Sequence, residues 1–225
     1  MSEPPERVVA IGSDQIAVWP GESIRPTPIA LTAQVDFLDH ARYAAGLTAA
    51  ILERGQDPRY ADRIFKGGCG LKVRDIHAWE VAEAVLVNER ALMLCRKVLG
   101  GRAVHVDSSW ASVYSDGDYC MPHSHLRAVA SVLYMLEPGE EFAQDPLAGR
   151  FAFCDPRLTQ CCPQEPGRMT HSFMPDLVPG SMLFFSADYV HAVNPYRGSR
   201  PRITLSWNMT LQRLDGESGA WARTP

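Results

Sequence analysis

The stretch that most constrains the fold is the last β-type run, RITLSWNMT, because its two parities carry opposite chemistry. Arg202, Thr204, Ser206 and Asn208 share one face of an extended chain, and Ile203, Leu205, Trp207 and Met209 share the other. Such a strand divides an apolar core from a polar interior. Earlier runs of similar texture begin at residue 103: AVHVDSSWASVY, RAVASVLYMLE, GRFAFCD, SMLFFS and VHAVNPY. SDGD, PGEE, PLAG, VPGS and YRGSRP separate them with turn chemistry. Val129 to Leu136 is apolar at both parities except at Ser131, so it reads as a strand covered on both faces.

Two helices are predicted ahead of these runs. The first spans residues 32–54, with Val35, Leu38, Ala45 and Ala49 as its buried stripe and Gly55 beyond its end. The second spans residues 75–99, with Asp75 as N-cap, Val81, Val85, Leu92, Cys95 and Leu99 inward, and Gly100-Gly101 closing it. Residues 55–74, centred on Lys66-Gly67-Gly68-Cys69-Gly70, read as a loop; no lysine–serine ending makes them a phosphate cradle. Residues 1–31 contain Pro4, Pro5, Pro20, Pro26 and Pro28 and read as an irregular or strand-forming lead-in. The expected class is α+β, mainly β: a double-stranded β-helix of jelly-roll or cupin-like form with N-terminal helices packed outside. The expected division is 1–102 as an extension of the same domain, 103–212 as the core and 213–225 as a tail.

Composition narrows the function classes. The formal charge is −4 with no basic block, which gives no nucleic-acid surface. No apolar run approaches the ~18–20 residues of a membrane span, and the polar MSEPPER start is not a signal peptide, so a cytoplasmic location is expected. The 6 cysteines include no C-x-x-C pair, and Cys161-Cys162 are adjacent, so reduced thiols are expected and a thiolate metal site is not.

The candidate chemistry lies in the histidines. In Pro-His-Ser-His, His123 and His125 are two apart, and on an extended chain they point to the same side. His191 follows 68 residues after His123 and stands 11 before Arg202. Three donors on neighbouring strands can form a facial set that leaves coordination positions open. An arginine beyond them suits a carboxylate, which its planar fork binds through two hydrogen bonds. The plain alternatives are exposed or turn-capping histidines and a structural ion pair at Arg202. His40, His77 and His105 read as surface or satisfied side chains, and His171 is placed over the barrel mouth.

Taken in order, several elements form a pattern. They are Trp110 with Tyr114 and Gly117, His123-Ser124-His125, Ser131 to Tyr134, and Asp155-Pro156-Arg157. Pro179-Gly180, Phe184-Phe185-Ser186, His191, and Arg202 through Asn208 complete it. Over roughly residues 105–210 the chain resembles the 2-oxoglutarate/Fe(II)-dependent oxygenases of the cupin-like superfamily, with a weak earlier echo at Thr27-Pro28-Ile29. The resemblance implies that His123, His125 and His191 ligate Fe(II). It implies that Arg202 holds the 2-oxoglutarate carboxylate with Thr204 beside it. Trp110, Tyr114, Tyr134, Ser206 and Asn208 become candidates to line the pocket. The implied reaction uses O2 to hydroxylate a small-molecule or peptidyl substrate and releases succinate and CO2.

One departure stands out: the superfamily's usual His-x-Asp or His-x-Glu is His-Ser-His here, with His125 in the acid's place. Asp116 or Asp118 could supply a carboxylate instead. Two other functions stay open at this point. One is a three-histidine or other metal cupin that dispenses with 2-oxoglutarate, and the other is a non-catalytic small-acid sensor. A homodimer is compatible with the sequence.

Overall fold

The structure is a computed structural model that describes residues 7–21, 24–26, 32–65, 67–125, 127–154 and 173–211. His171, Asp155-Pro156-Arg157, Thr27-Pro28-Ile29 and Cys161-Cys162 lie outside the described residues. The elements run β1 (Val8–Ile11), β2 (Asp14–Ala17), β3 (Arg25–Pro26), β4 (Thr32–Asp36), α1 (Ala44–Arg54), β5 (Ala61–Ile64) and β6 (Gly68–Arg74). They continue with α2 (Ala82–Val98), β7 (Val104–Tyr114), β8 (Tyr119–His123), β9 (Ala130–Glu137), β10 (Phe151–Phe153), β11 (Ser181–Ser186), β12 (His191–Val193) and β13 (Arg202–Leu211). Every β-type run expected after residue 103 forms a strand.

One curled antiparallel sheet has the order β10-β12-β8-β6-β7-β13-β9-β11-β4-β3, with β5 also on β6. Strand β6 joins its two walls, pairing with β7 on the broad wall and with β8 on the short one. The broad wall has two faces. Ile203, Leu205, Trp207 and Met209 of β13 are fully buried in a core shared with Leu47 and Ile51 of α1 and Leu86, Val87 and Leu94 of α2. Burying each such side chain contributes about 1.5–3 kcal/mol relative to exposure. The opposite face looks into the roll, where Leu133, Phe151, Phe153, Leu183 and Phe185 build a second, smaller core. The architecture is the expected mainly β fold with its helices outside. No helix among the described residues is long and apolar enough to cross a membrane.

The N-terminal half corrects several expectations. Residues 32–36 are strand, not helix: β4 pairs with β11 from Ser181↔Asp36 to Phe185↔Thr32. The free edge of β11 needs a hydrogen-bonding partner, and the β-branched Thr32 and Val35 fit that role. The helix begins only at Ala44, and its buried stripe is Ala44, Leu47 and Ile51; Ala45 and Ala49 face solvent and Leu38 is 89% exposed. Asp75 is no helix cap. It takes φ 57° before a short 3-10 turn, and α2 starts seven residues later. The inward face of α2 is Ala84, Leu86, Val87, Arg90, Ala91, Leu94 and Cys95. Val81, Leu92 and Leu99 only flank it, because the expected set followed a seven-residue spacing that drifts around a straight 3.6-residue helix.

Residues 55–74 are a hairpin rather than a loop, β5 and β6 pairing from Ala61↔Val73 to Ile64↔Gly70. Its glycines answer to close approach. Gly70 has φ +155°, and a Cβ there would sit 2.7 Å from the Tyr114 ring. Cys69, Cys95 and Cys120 form no disulfide.

A polar network ties the helices to the sheet. Arg90, fully buried on α2, donates to Asp39 at 2.6 and 2.9 Å, to the Tyr43 hydroxyl at 2.8 Å, and to the carbonyls of Ala17 and Val18. The Tyr43 hydroxyl meets that of Tyr134 at 2.7 Å, and Tyr134 meets His40 Nδ1 at 2.6 Å. Burial lowers the His40 pKa below its usual 6.5. Between those two values the unfolded chain binds a proton that the folded chain does not, so stability rises with pH across that window. The unfolding midpoint in urea is therefore expected to fall as pH drops below about 6.5, with a shallower slope in His40→Gln.

Candidate active site

The short wall brings the three histidines together. His123 of β8 pairs directly with His191 of β12, so the two side chains enter the lumen opposite each other. Their ring centroids are 4.4 Å apart. His125 lies just past the end of β8, where its backbone N–H donates to the Ala187 carbonyl at 2.7 Å. Its ring is 5.0 Å from that of His123 and 5.1 Å from that of His191. One candidate donor atom from each of the three lies within 4.8 Å of the others.

Hydrogen bonds orient the rings. Nδ1 of His123 faces the Met121 carbonyl at 2.9 Å, and Nδ1 of His191 faces the Tyr189 carbonyl at 2.8 Å. A carbonyl only accepts, so both Nδ1 atoms carry the proton and both Nε2 lone pairs are left for the lumen. Asn208 Nδ2 lies 3.4 Å from His125 Nδ1. Burial, reinforced by the neighbouring His123, pulls the His125 pKa down to about 4 and that of His191 to about 3. These imidazoles are neutral at pH 7, as metal coordination requires. His191 is 5% exposed, packed against the rings of Phe151 and Phe185.

No carboxylate joins this cluster among the described residues. Asp118 is buried but engaged elsewhere, accepting from Arg63 and from the Ser115 N–H, each at 2.8 Å. Asp116 points toward Arg197 on the surface. Neither replaces His125.

The lumen face of β13 carries the other candidates. Thr204, Ser206 and Asn208 line the histidine cavity together with Trp110 and Tyr114 of β7. Arg202 is fully buried, and both its Nη atoms lack a hydrogen-bond partner among the described residues. It borders a separate cavity of ≈ 600 Å³ under residues 138–150 and 175–179, and Phe151 is the side chain common to both cavities. Burial lowers the guanidinium pKa to about 10, which leaves it charged at neutral pH. Tyr196 fixes the wall of this second cavity. Its hydroxyl accepts from the Glu140 N–H at 2.9 Å and donates to the Arg200 carbonyl at 2.6 Å, and its ring lies against Gly139, Gly149 and Gly198.

Tyr134 does not line the site. Alternation along β9 turns Ser131, Leu133 and Met135 inward and Tyr134 outward, into the network with Tyr43 and His40. His40, His77 and His105 are satisfied by Tyr134, Ser109 and Thr210. The sequence reading missed Phe151, Cys120 and Lys72, which all border the cavities; Cys120 Sγ is 3.5 Å from His123 Nδ1. Alternation in GCGLKVR, with Lys72 between inward Leu71 and Val73, was the available signal for Lys72.

Residues 108–208 match the family model described as "Putative 2OG-Fe(II) oxygenase". Over those residues the chain is similar to the 2OG-Fe(II) oxygenases. No curated protein matches the chain in sequence. Solved structures share its fold. The viral collagen prolyl hydroxylase vCPH from Paramecium Bursaria Chlorella virus-1, in complex with 2OG, is 14% identical, with TM-score 0.57 over 80% of this chain and 95% of that one. The epimerase SnoN, in complex with Fe3+, alpha ketoglutarate and nogalamycin RO, is 14% identical, with TM-score 0.61 over 85% and 88%. A prolyl hydroxylase from Trichoplax adhaerens, bound to a peptide fragment of hypoxia inducible factor, is 15% identical, with TM-score 0.57 over 79% and 83%. The family's cofactors are Fe(II) and 2-oxoglutarate. The residues present fit both: three convergent imidazoles suit the metal, and a buried guanidinium with no counter-ion among the described residues suits a carboxylate.

Placement of Tyr134 outside the lumen makes a testable distinction. Tyr134→Phe removes the hydroxyl joining His40 and Tyr43, so stability in urea should fall by about 1–2 kcal/mol. Iron affinity, measured by anaerobic equilibrium dialysis, should not change.

Proposed function

We propose that His123, His125 and His191 hold Fe(II), that Arg202 with Thr204 holds the far carboxylate of 2-oxoglutarate, and that the enzyme hydroxylates its substrate at this site. The observation that carries this reading is the pair of Arg202 Nη atoms, unpartnered among the described residues and buried on the same strand face as Thr204. A buried charge without a partner costs several kcal/mol, and a ligand carboxylate removes that cost. The reading extends to release of succinate and CO2.

The bound iron and keto-acid supply the oxidation, in which 2-oxoglutarate is decarboxylated by O2 while one oxygen atom enters the substrate. The side chains bind, orient and exclude water. The Met121 and Tyr189 carbonyls hold two imidazoles with Nε2 inward. Leu133, Phe151 and Phe185 form the dry side of the lumen. The other wall is polar, with Ser112, Thr204 and Ser206 presenting hydroxyls. Histidine in place of the superfamily's acid leaves the protein's ligand set neutral, which shifts the potential at which the metal works. The family match favours this function over a metal cupin without 2-oxoglutarate and over a non-catalytic sensor.

The decisive experiment is anaerobic titration of the Fe(II)-loaded protein with 2-oxoglutarate, watching for the weak visible charge-transfer band of a chelated keto-acid. The band is expected in the native protein. Arg202→Ala should weaken 2-oxoglutarate binding by about 100-fold or more, the scale of removing one partner of a buried charge pair. His191→Ala should lose the iron itself. Iron retained with no band would overturn the proposal.

A further inference from the structure

A third cavity, of ≈ 370 Å³, shares Trp110, His123, His125 and Asn208 with the histidine cavity and is bordered also by Lys72, Ser108 and Tyr119. Its size is that of a small-ligand site. Lys72 stands opposite Ser112 in the β6–β7 pairing, which puts it on the lumen face of the sheet. Its ammonium lies 3.9 Å from the centre of the Trp110 ring, and that ring is 5.9 Å from the ring of His125.

The two arginines of the β5–β6 hairpin have acids. Arg63 pairs with Asp118, and Arg74 pairs with Asp62. Lys72 has no carboxylate partner among the described residues, and neither Asp nor Glu lines the cavity it faces. Burial lowers its pKa, and Cys120 and Asp75 offset that desolvation only in part. A cation–π contact with Trp110 is weaker than a desolvated ion pair. The ammonium is held in place but left available.

We infer that the substrate carries a carboxylate, and that Lys72 binds it at the mouth of the lumen beside the Trp110 ring. The inference rests on the proposed function only for which cavity faces the metal. A single ammonium, with no guanidinium fork beside it, matches a singly charged carboxylate better than a phosphate. Among the described residues no acid lines this cavity, which favours an acid whose nitrogen, where it has one, is acylated over one with a free ammonium. Lys72 is on this view a specificity residue and takes no part in the oxidation.

The test is calorimetric titration of the full chain, with and without Zn(II) and 2-oxoglutarate, against N-acetyl amino acids and the primary amide of each. The best acid is expected to bind at least ten-fold more tightly than its amide. Lys72→Met and Lys72→Gln should bring the acid down to the level of its amide, and Lys72→Arg should keep part of the preference. Stronger binding of a terminally blocked peptide bearing Asp or Glu, lost in Lys72→Met, would support the same site with a peptidyl carboxylate. Equal binding of acid and amide, a preference that survives both neutral variants, or binding by neither acids nor acidic peptides would overturn the inference. So would a loss of 2-oxoglutarate affinity in Lys72→Met, which would assign the ammonium to the co-substrate. Failure of the proposed function reads out separately, as absent 2-oxoglutarate binding in samples whose acid preference at Lys72 is intact.

Discussion

On β13, side chains one residue apart occupy opposite environments: Leu205 and Trp207 close the core beneath the helices, while Thr204 and Asn208 face the lumen. A slip of one residue in its pairing would drive Arg202 into the apolar core and turn Trp207 into the lumen. That penalty fixes the register of both its neighbours, β7 and β9, along nearly their whole length. Ser108, Trp110, Ser112 and Tyr114 on one side, and Ser131 and Leu133 on the other, are thereby aimed at the same interior. The polar lumen and the dry core are two faces of one constraint.

Two fully buried arginines show how environment decides a role. Arg90 meets an aspartate, a tyrosine hydroxyl and two backbone carbonyls, which satisfy its donors and lock α2 to the N-terminal strands. Arg202 has an aromatic ring nearby, that of Tyr114, but no acceptor for either Nη atom among the described residues. An internal pair as complete as that of Arg90 would leave a ligand nothing to displace.

The C-terminal half was legible because period-two alternation needs only local sequence. The strands from β7 onward, apart from β8, and the split faces of β13 came through intact. The histidine triad could be named from spacing and resemblance, but its direct His123↔His191 pairing could not, since it depends on strands 68 residues apart. The N-terminal half was harder to read. Alanine-rich sequence around residues 32–54 has helical propensity throughout, yet β4 forms because the edge of β11 requires a partner, a tertiary demand with no local signature. Tyr134 was misplaced because β9 is apolar on both faces, so its parity says nothing about which side is the lumen. Lys72 was lost when glycines that make room for Tyr114 and for the β8 backbone were read as a loop.

The Tyr196 hydroxyl, bonded at once to the Glu140 N–H and the Arg200 carbonyl, acts as a rivet through two loops that have little regular structure of their own. Glycines at 139, 149 and 198 let the backbone close around its ring. The wall over Arg202 is thus ordered when the chain folds, and its conformational entropy is lost then rather than at the arrival of a ligand. On the proposed reading, affinity at the buried guanidinium is governed by desolvation and charge, with little penalty for shaping the pocket.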